Sequence, residues 1–291
     1  MREPLHVDKG VNCDYLYPIA GVDASHIASR TVDTWSELIS YADEPVTGVV
    51  CAVRSSDDGQ ATVTLAVTYK NGVRNGASVG YALDGTLTSN VWYQNGKKEG
   101  SAQYYHPNGN SHIETTYKDG LIHGTYNMYS ERREALLHPC GVGICHEISY
   151  KNGLIDGIYR LFNDGFLAGE DVYKNNQLYG ESKSWRLSSN KPMSYEDGVL
   201  ILPNPPDWER SLSSIKHFVA DVREGYFRKY DEDGALIYEI FFINNMPVSG
   251  RCYFSKEVST ARKGKVMRTW DLEELWDGDK IEDFDNCDSY F

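Results

Sequence analysis

The chain repeats one pattern of apolar strands and polar turns at a period of 24 residues. Residues 69–92 read YKNGVRNGASVGYALDGTLTSNVW, and residues 93–116 read YQNGKKEGSAQYYHPNGNSHIETT. Most repeats open with an aromatic residue, continue into an Asn-Gly or Asp-Gly pair, and carry glycine at position 8 and an aromatic at position 13. Such a period indicates an array of similar structural units. The repeats begin at Tyr41, Tyr69, Tyr93, Tyr117, Tyr150, Tyr173, Tyr195, Phe218 and Phe242.

The turn pairs predict that each repeat is a β-hairpin. Asn-Gly and Asp-Gly favour type I′ turns, because both central residues of that turn need a positive φ. A second Asp-Gly or Asn-Gly turn follows about twelve residues after the first in most repeats. The runs between turns, such as VTLAVTY, are rich in β-branched and aromatic residues, as strands are. We therefore predict a mainly all-β fold, an elongated single-sheet antiparallel β-meander with both aromatic columns stacked on one face as its core.

Two repeats depart from the pattern. The Tyr195 repeat has Leu202 at position 8 and loses its second turn to a proline-rich run, which cannot complete a hydrogen-bonded ladder. The Phe242 repeat has its glycine one residue late, at Gly250, while Phe254 holds position 13.

The repeats divide the chain into three segments. An N-terminal cap precedes the array, and an acidic cap or tail follows it. The predicted boundaries are 1–40 for the N-terminal cap, 41–267 for the array with insertions at 130–147 and 200–217, and 268–291 for the tail.

Small helical caps are predicted at both ends, because an uncovered edge strand invites pairing with other chains. Asp23 precedes a spaced set of apolar residues, which predicts a capped helix, and the tail has a similar set. These apolar residues are Ile27, Val32, Trp35, Leu38 and Ile39 in the first segment, and Leu272, Leu275 and Trp276 in the tail.

The charge is strongly acidic, with a formal net charge of −13. Residues 271–291 hold nine acidic residues against one lysine, so most of the excess lies in the tail. Such a chain is not expected to bind nucleic acid or anionic membranes, and its field would attract a cationic protein. No apolar run has the length of a signal segment or a transmembrane span, which favours a cytoplasmic protein whose six cysteines are mostly reduced.

The first insertion contains two histidines and two cysteines within nine residues, at His138, Cys140, Cys145 and His146. Thiolate and imidazole are the usual zinc ligands, but this spacing does not match the common zinc layouts. A glycine-rich hairpin tip with reduced thiols is the main interpretation. A metal site and a reversible disulfide remain the alternatives, and no cofactor is predicted.

Two acidic or aromatic segments are candidates for partner binding. The second insertion has a tryptophan among charged residues, which is typical of a binding hot spot or of a plug over the sheet. The tail is either a capping element paired with the preceding basic stretch or an acidic arm that occupies a basic groove on a partner. The candidate residues are Asp207, Trp208, Glu209, Arg210, Asp271, Glu273, Glu274, Trp276, Asp277 and Asp279.

The repeats YKNGVRNG, YQNGKKEG, YKDGLIHG and YKNGLIDG resemble the bacterial MORN-repeat-variant family over about residues 38–255. That resemblance implies an antitoxin or immunity protein that neutralises a cognate bacterial toxin by covering its active surface. No catalytic motif accompanies the repeats, so we expect a non-catalytic binding protein with a basic toxin as partner, monomeric or weakly dimeric. The alternative is a structural scaffold protein built on a β-repeat array.

Overall fold

The computed structural model describes residues 13–17, 27–31, 37–41, 44–55, 61–131, 143–163, 165–187, 194–196, 199–201, 210–231, 233–253 and 266–270. Within these residues the chain is all-β and contains no helix. The strands form an open antiparallel meander, as the repeats predict. The contacts divide the chain into two compact units, here called the N-terminal body (1–154) and the C-terminal body (155–291).

The strands of the N-terminal body are β1 (Tyr15–Tyr17), β2 (Ile27–Thr31), β3 (Glu37–Tyr41), β4 (Glu44–Pro45), β5 (Gly48–Ser55), β6 (Ala61–Lys70), β7 (Val73–Tyr81), β8 (Leu87–Gln94), β9 (Lys97–Tyr105), β10 (Ser111–Lys118), β11 (Leu121–Tyr129) and β12 (Ile144–Lys151). Each strand from β5 to β12 pairs antiparallel with the next. Strand β1 lies parallel to β5, and β2, β3 and β4 form a separate sheet.

The strands of the C-terminal body are β13 (Leu154–Asn163), β14 (Phe166–Lys174), β15 (Gln177–Leu178), β16 (Gly180–Leu187), β17 (Ser194–Glu196), β18 (Val199–Ile201), β19 (Arg210–Val219), β20 (Val222–Arg223), β21 (Gly225–Tyr230), β22 (Leu236–Ile243), β23 (Met246–Tyr253) and β24 (Val266–Trp270). Strands β13 to β24, apart from β17 and β18, form a meander. Within it, β15 and β16 both pair with β14, and β20 and β21 both pair with β19, so each pair of successive strands takes the place of one longer strand.

The Tyr195 repeat lies outside this meander. Strands β17 and β18 pair with each other as a separate hairpin, while β16 pairs directly with β19, where Leu187 faces Arg210. The array therefore passes from the Tyr173 repeat to the Phe218 repeat. The candidate partner-binding segment 207–210 lies outside the described residues, except that Arg210 begins a strand.

The first turn has the predicted left-handed geometry in the seven repeats for which the structure describes it. Asn71 and Gly72 have φ values of 50° and 77°, as a type I′ turn requires. Three further turns of this kind have no Asn-Gly or Asp-Gly pair, so the turn-pair signal did not locate them. Positive φ occurs at Asn95-Gly96, Asp119-Gly120 and Asn152-Gly153, and at the glycine-free pairs Asn175-Asn176, Ala220-Asp221 and Asn244-Asn245.

The glycine at position 8 lies in a β-bulge. In the β6–β7 pair, Val67 faces Ser78 and Tyr69 faces Arg74, so three residues around Gly76 lie opposite Thr68 alone. Gly76 has a φ of 125°, which residues with a Cβ rarely adopt. The same position has positive φ in six other repeats, at Gly48, Gly100, Gly124, Gly157, Gly180 and Gly225.

The Phe242 repeat has a shorter bulge, and this changes two assignments. Phe241 faces Ser249 and Phe242 faces Pro247, so only one residue is extra. Gly250 consequently faces Ile240, just as Ala102 faces Val91 in an earlier hairpin. Gly250 is therefore equivalent to Ala102, and not to the glycine at position 8. Tyr253, and not Phe254, then takes the place of the position-13 aromatics.

Backbone hydrogen bonds join the first turns of successive hairpins. The amide of Gly96 donates to the carbonyl of Arg74 at 2.8 Å, and the amide of Gly120 donates to the carbonyl of Lys98 at 2.9 Å. Where the turn ends in Asn or Asp, the side chain adds a reciprocal bond: Asn245 Oδ1 accepts from the amide of Arg223 at 2.7 Å. Each hairpin is thus aligned on its predecessor at the turn as well as along the strands.

The two aromatic columns lie on opposite faces, so the prediction of one shared face is wrong. Tyr117 of the first column contacts Lys98 and Tyr104 on one face. Tyr129 of the second column donates a hydrogen bond to Glu114 at 3.1 Å on the other face. Two residues on either side of a two-residue turn share a face when they are an odd number of positions apart, as Tyr93 and Lys98 are. The two columns are twelve positions apart, which is an even number, so their side chains lie on opposite faces.

The fully buried clusters lie in the first and last hairpins of the described array. Residues Val46, Val50, Val67 and Tyr69 form one cluster, and Cys51, Val63 and Ala66 form another. The C-terminal cluster consists of Tyr238, Ile240, Phe242 and Cys252.

A strand, and not a helix, covers the first edge of the array. Segments 27–31 and 37–41 form strands where a helix was predicted, and β-branched Thr31, Val32 and Thr34 between them disfavour a helix. The Cys13–Cys51 disulfide joins β1's segment to β5. The predicted tail helix lies outside the described residues.

Candidate protein-interaction surface

Most of the predicted site residues lie outside the described part of the chain. Of the predicted partner-binding residues, Arg210 alone is described, through its backbone at the start of β19. The partner-binding role predicted for the others therefore stays a prediction. They are Asp207, Trp208, Glu209, Asp271, Glu273, Glu274, Trp276, Asp277 and Asp279. The metal-site candidates His138 and Cys140 of the first insertion also lie outside the described residues.

The histidine–cysteine insertion is described only at its second half. Cys145 is fully buried and disulfide-bonded, so its sulfur is not a thiolate ligand. His146 is half-buried, and burial lowers its pKa. Among the described residues, no group of three potential ligands is arranged to hold a metal ion. The prediction that the cysteines are mostly reduced is wrong for the described ones, since Cys13, Cys51, Cys145 and Cys252 are all disulfide-bonded.

A group of tyrosines covers the first-column face of the N-terminal body. We call it the tyrosine face; its residues are Tyr93, Lys98, Tyr104, Tyr117, Tyr126 and Tyr150. The register places them together, because Tyr93 faces Lys98, and Tyr126 faces Thr115 beside Tyr117. The five rings and the lysine are all partly exposed.

Small buried residues lie between these rings. Val91, Ala102 and Thr115 are 5%, 1% and 5% exposed on the same face. The tyrosines therefore shield the centre of the sheet, as the core interpretation of the column predicts, and yet keep part of each ring in contact with solvent. The hydroxyl of Thr115 is buried without a hydrogen-bond partner in the described part of the chain.

Two cations lie against the tyrosine face. The Arg74 guanidinium is 5.5 Å from the centre of the Tyr93 ring, and Lys98 is held by the rings of Tyr104 and Tyr117. Its Nζ lies 4.8 Å from the centre of the Tyr117 ring and donates a hydrogen bond to the Tyr104 hydroxyl at 3.0 Å. Burial raises the pKa of Tyr104 and, together with a hydrogen bond to Tyr104, the pKa of Tyr117. The phenols consequently remain neutral hydrogen-bond donors near pH 7.

The other end of the tyrosine face consists of Tyr126 and Tyr150. Their ring centres are 5.9 Å apart in an edge-to-face arrangement. Burial raises the pKa of Tyr126, and the neighbouring phenols Tyr150 and Tyr117 add to the shift. Neither ring has a cation over it among the described contacts, so their π faces are available to a ligand cation.

A histidine pair flanks the second turn of the Tyr93 repeat, and the sequence did not predict it. The rings of His106 and His112 are 4.2 Å apart, and His106 Nε2 lies 2.9 Å from the carbonyl oxygen of Tyr129. Burial and the neighbouring His106 lower the pKa of His112. The six-residue spacing across a turn gives no sequence signal for this contact.

No protein-family model and no curated protein matches the chain. The resemblance to the MORN-repeat-variant family therefore rests on the repeat residues themselves. The part of the chain that the structure describes contains no helix long and apolar enough to span a membrane.

Proposed function

We propose that the protein is a non-catalytic binding module that neutralises a cognate protein toxin by covering its active surface. The observation that carries this proposal is the tyrosine face, a broad, partly exposed array of five rings on a rigid sheet. The repeat resemblance supports the antitoxin or immunity role.

Tyrosine suits such a surface for physical reasons. Each ring offers a large amphipathic contact area with few rotatable bonds, so little side-chain entropy is lost on binding. The pleated strands hold the five rings in fixed register, which avoids the cost of ordering a loop. Their hydroxyls add hydrogen bonds that fix the orientation of the partner.

The charge of the chain favours a basic partner. A net charge of −13 would accelerate the approach of a cationic protein, and this effect weakens as salt rises. Once docked, arginine or lysine side chains of the partner would lie over Tyr126 and Tyr150, away from Lys98. Contact and steering thus favour the same class of partner.

The disulfides bear on where this encounter takes place. Disulfides persist in oxidising compartments and are rare in the cytosol. Four disulfide-bonded cysteines, including the Cys13–Cys51 pair, therefore favour an oxidising compartment over the cytoplasm that the sequence predicted. An immunity protein that meets its toxin outside the cytosol fits this setting better than a cytosolic antitoxin.

The test is capture of partners from the native host with three forms of the full chain. These are the wild type, a Tyr126→Ser/Tyr150→Ser double variant, and Trp92→Ser as the control. Trp92 is 53% exposed on the opposite face and leaves the tyrosine face intact. We expect one stoichiometric basic protein, eluted by salt and toxic when expressed alone, to bind the wild type and the control. The double variant should bind at least tenfold more weakly.

Equal capture by the double variant would refute the assignment of the contact surface. Capture of large assembly proteins, or self-association alone, would favour the scaffold alternative. Circular dichroism of each variant separates lost contact from lost folding. A fourth form, which lacks residues 271–291, tests the predicted role of the acidic tail. If the tail contacts the partner, this form should bind more weakly, and its binding should depend less on salt.

A further inference from the structure

A cluster of charged and aromatic residues occupies the second-column face of the C-terminal body. Arg228, Glu239 and Arg251 face one another in a row across β21, β22 and β23. Tyr226 faces Phe241 in the next row, with ring centres 4.8 Å apart. We call these five residues the arginine cluster.

The single carboxylate of the cluster has its oxygens occupied. Glu239 Oε2 accepts a hydrogen bond from Arg228 Nε at 3.2 Å, and Oε1 accepts one from the Tyr253 hydroxyl at 2.8 Å. Arg251 Nη1 reaches Oε1 only at 3.8 Å. Two guanidinium groups thus share one carboxylate, and the cluster has a net charge of +1.

Both arginines are held in place and still have N–H donors without a described hydrogen-bond partner. The Arg228 guanidinium lies 4.7 Å from the centre of the Tyr226 ring, and within the described chain only its Nε has a hydrogen-bonded partner. The Arg251 side chain is 58% exposed and lies beside the Tyr253 hydroxyl. A guanidinium fixed by a carboxylate and a ring presents its remaining N–H groups in the planar geometry that an oxyanion accepts.

An equivalent row in the same body serves as an internal comparison. There Arg160 faces Glu170, and Glu170 faces Lys183. Lys183 is bound to a second acid, Glu181, at 2.8 Å, so that row is balanced with two cations and two carboxylates. Glu181 also lies within electrostatic reach of Arg228, but its hydrogen bond to Lys183 holds it and lowers its pKa. Compared with that set of residues, the arginine cluster has one excess positive charge.

We propose that the arginine cluster binds a carboxylate side chain of an acidic segment in a protein partner, with a neighbouring apolar residue on Tyr226 and Phe241. Tyr226 is 45% exposed, so the ring pair offers an apolar platform next to the two guanidinium groups. The two guanidinium groups select a carboxylate by charge complementarity, and the ring pair favours an apolar side chain next to that carboxylate. This surface belongs to the C-terminal body and differs in charge preference from the tyrosine face of the N-terminal body.

The test is a titration of the full chain with the capped dipeptide acetyl-Asp-Phe-amide, followed by NMR of the arginine Nε–Hε groups. We expect saturable shifts at Arg228 and Arg251, weaker at high salt. Arg251→Gln should weaken binding at least fivefold, whereas Arg160→Gln, the matched control, should leave it unchanged. Acetyl-Asn-Phe-amide should not bind.

Four results would overturn the proposal. Equal shifts with the Asn peptide would show that charge is not recognised, and equal affinity in Arg251→Gln would move the site elsewhere. Inorganic phosphate binding as tightly as the dipeptide would reassign the cluster to phosphate groups. Binding seen only after removal of residues 271–291 would mean that the chain's own acidic segment is the occupant, and not a partner.

Discussion

The bulge glycines give a prediction whose size follows from the geometry of two equivalent positions. Gly76 has a φ of 125°, and a Cβ added there would lie 3.0 Å from both Cβ and Cγ2 of Thr68. Gly100 has a φ of 76°, and an added Cβ would meet nothing within 4 Å. Both residues hold position 8, so alanine at each place separates backbone strain from steric contact.

The expected costs differ because only Gly76 combines both effects. A strained φ costs about 1–3 kcal/mol, and overpacking against Thr68 adds about 1–3 kcal/mol, so Gly76→Ala should destabilise the protein by about 2–6 kcal/mol. The left-handed φ at Gly100 is milder, and alanine also lowers the entropy of the unfolded chain. Gly100→Ala should therefore cost about 1 kcal/mol or less.

Urea unfolding followed by circular dichroism and tryptophan fluorescence measures both free energies of unfolding. A third form, Gly76→Ala/Thr68→Ala, removes the contact with Thr68 Cγ2 but keeps the one with its Cβ, so it should recover part of the overpacking cost and none of the backbone cost. Equal destabilisation by the two single variants would refute the argument, since it would mean that the bulge geometry does not distinguish the repeats.

Three further predictions follow from contacts described above. A Cys13→Ser/Cys51→Ser variant should lose about 4 kcal/mol of stability, because the disulfide closes a 38-residue separation, and urea unfolding without reductant measures this. Thr115→Val should stabilise the protein by about 1 kcal/mol in the same assay, because it removes a buried hydroxyl without a described partner. His112 has a folded pKa below its unfolded value, so its contribution to stability is present above about pH 6.5 and is lost as pH falls through the folded pKa. Thermal melts between about pH 7 and pH 5 should accordingly show a smaller decline for His112→Gln, and an unchanged decline would contradict the role of the pair with His106.

Local sequence signals predicted the hairpins because their physical cause is local. Asn71-Gly72 needs only its own side chains to favour positive φ, so the pair identifies a turn without knowledge of its neighbours. At Asn175-Asn176 the reason lies elsewhere. Asn176 Oδ1 accepts a hydrogen bond from the amide of Ile155 in the preceding hairpin at 2.6 Å, and no local pattern contains that contact.

Register decided the features that the sequence did not predict. The glycine at position 8 was recognised, but its reason, a bulge opposite Thr68, appears only when the strands are paired. The strand register also places Tyr117 and Tyr129 on opposite faces of the sheet. It also means that the expected core of stacked rings is instead the tyrosine face in the N-terminal body, and that the C-terminal body carries the row that contains Glu239.

The direct pairing of Leu187 with Arg210 has a consequence for how this chain can be altered. The two residues flank a 22-residue excursion that leaves the array and returns to the adjacent strand without disturbing the alignment of hairpins on either side. The entropy of closing a loop grows only slowly with its length, so the array tolerates very different lengths of chain at this point. The position is therefore a natural graft site, where a foreign peptide or small domain can be displayed from a regular β scaffold whose own folding does not depend on the guest.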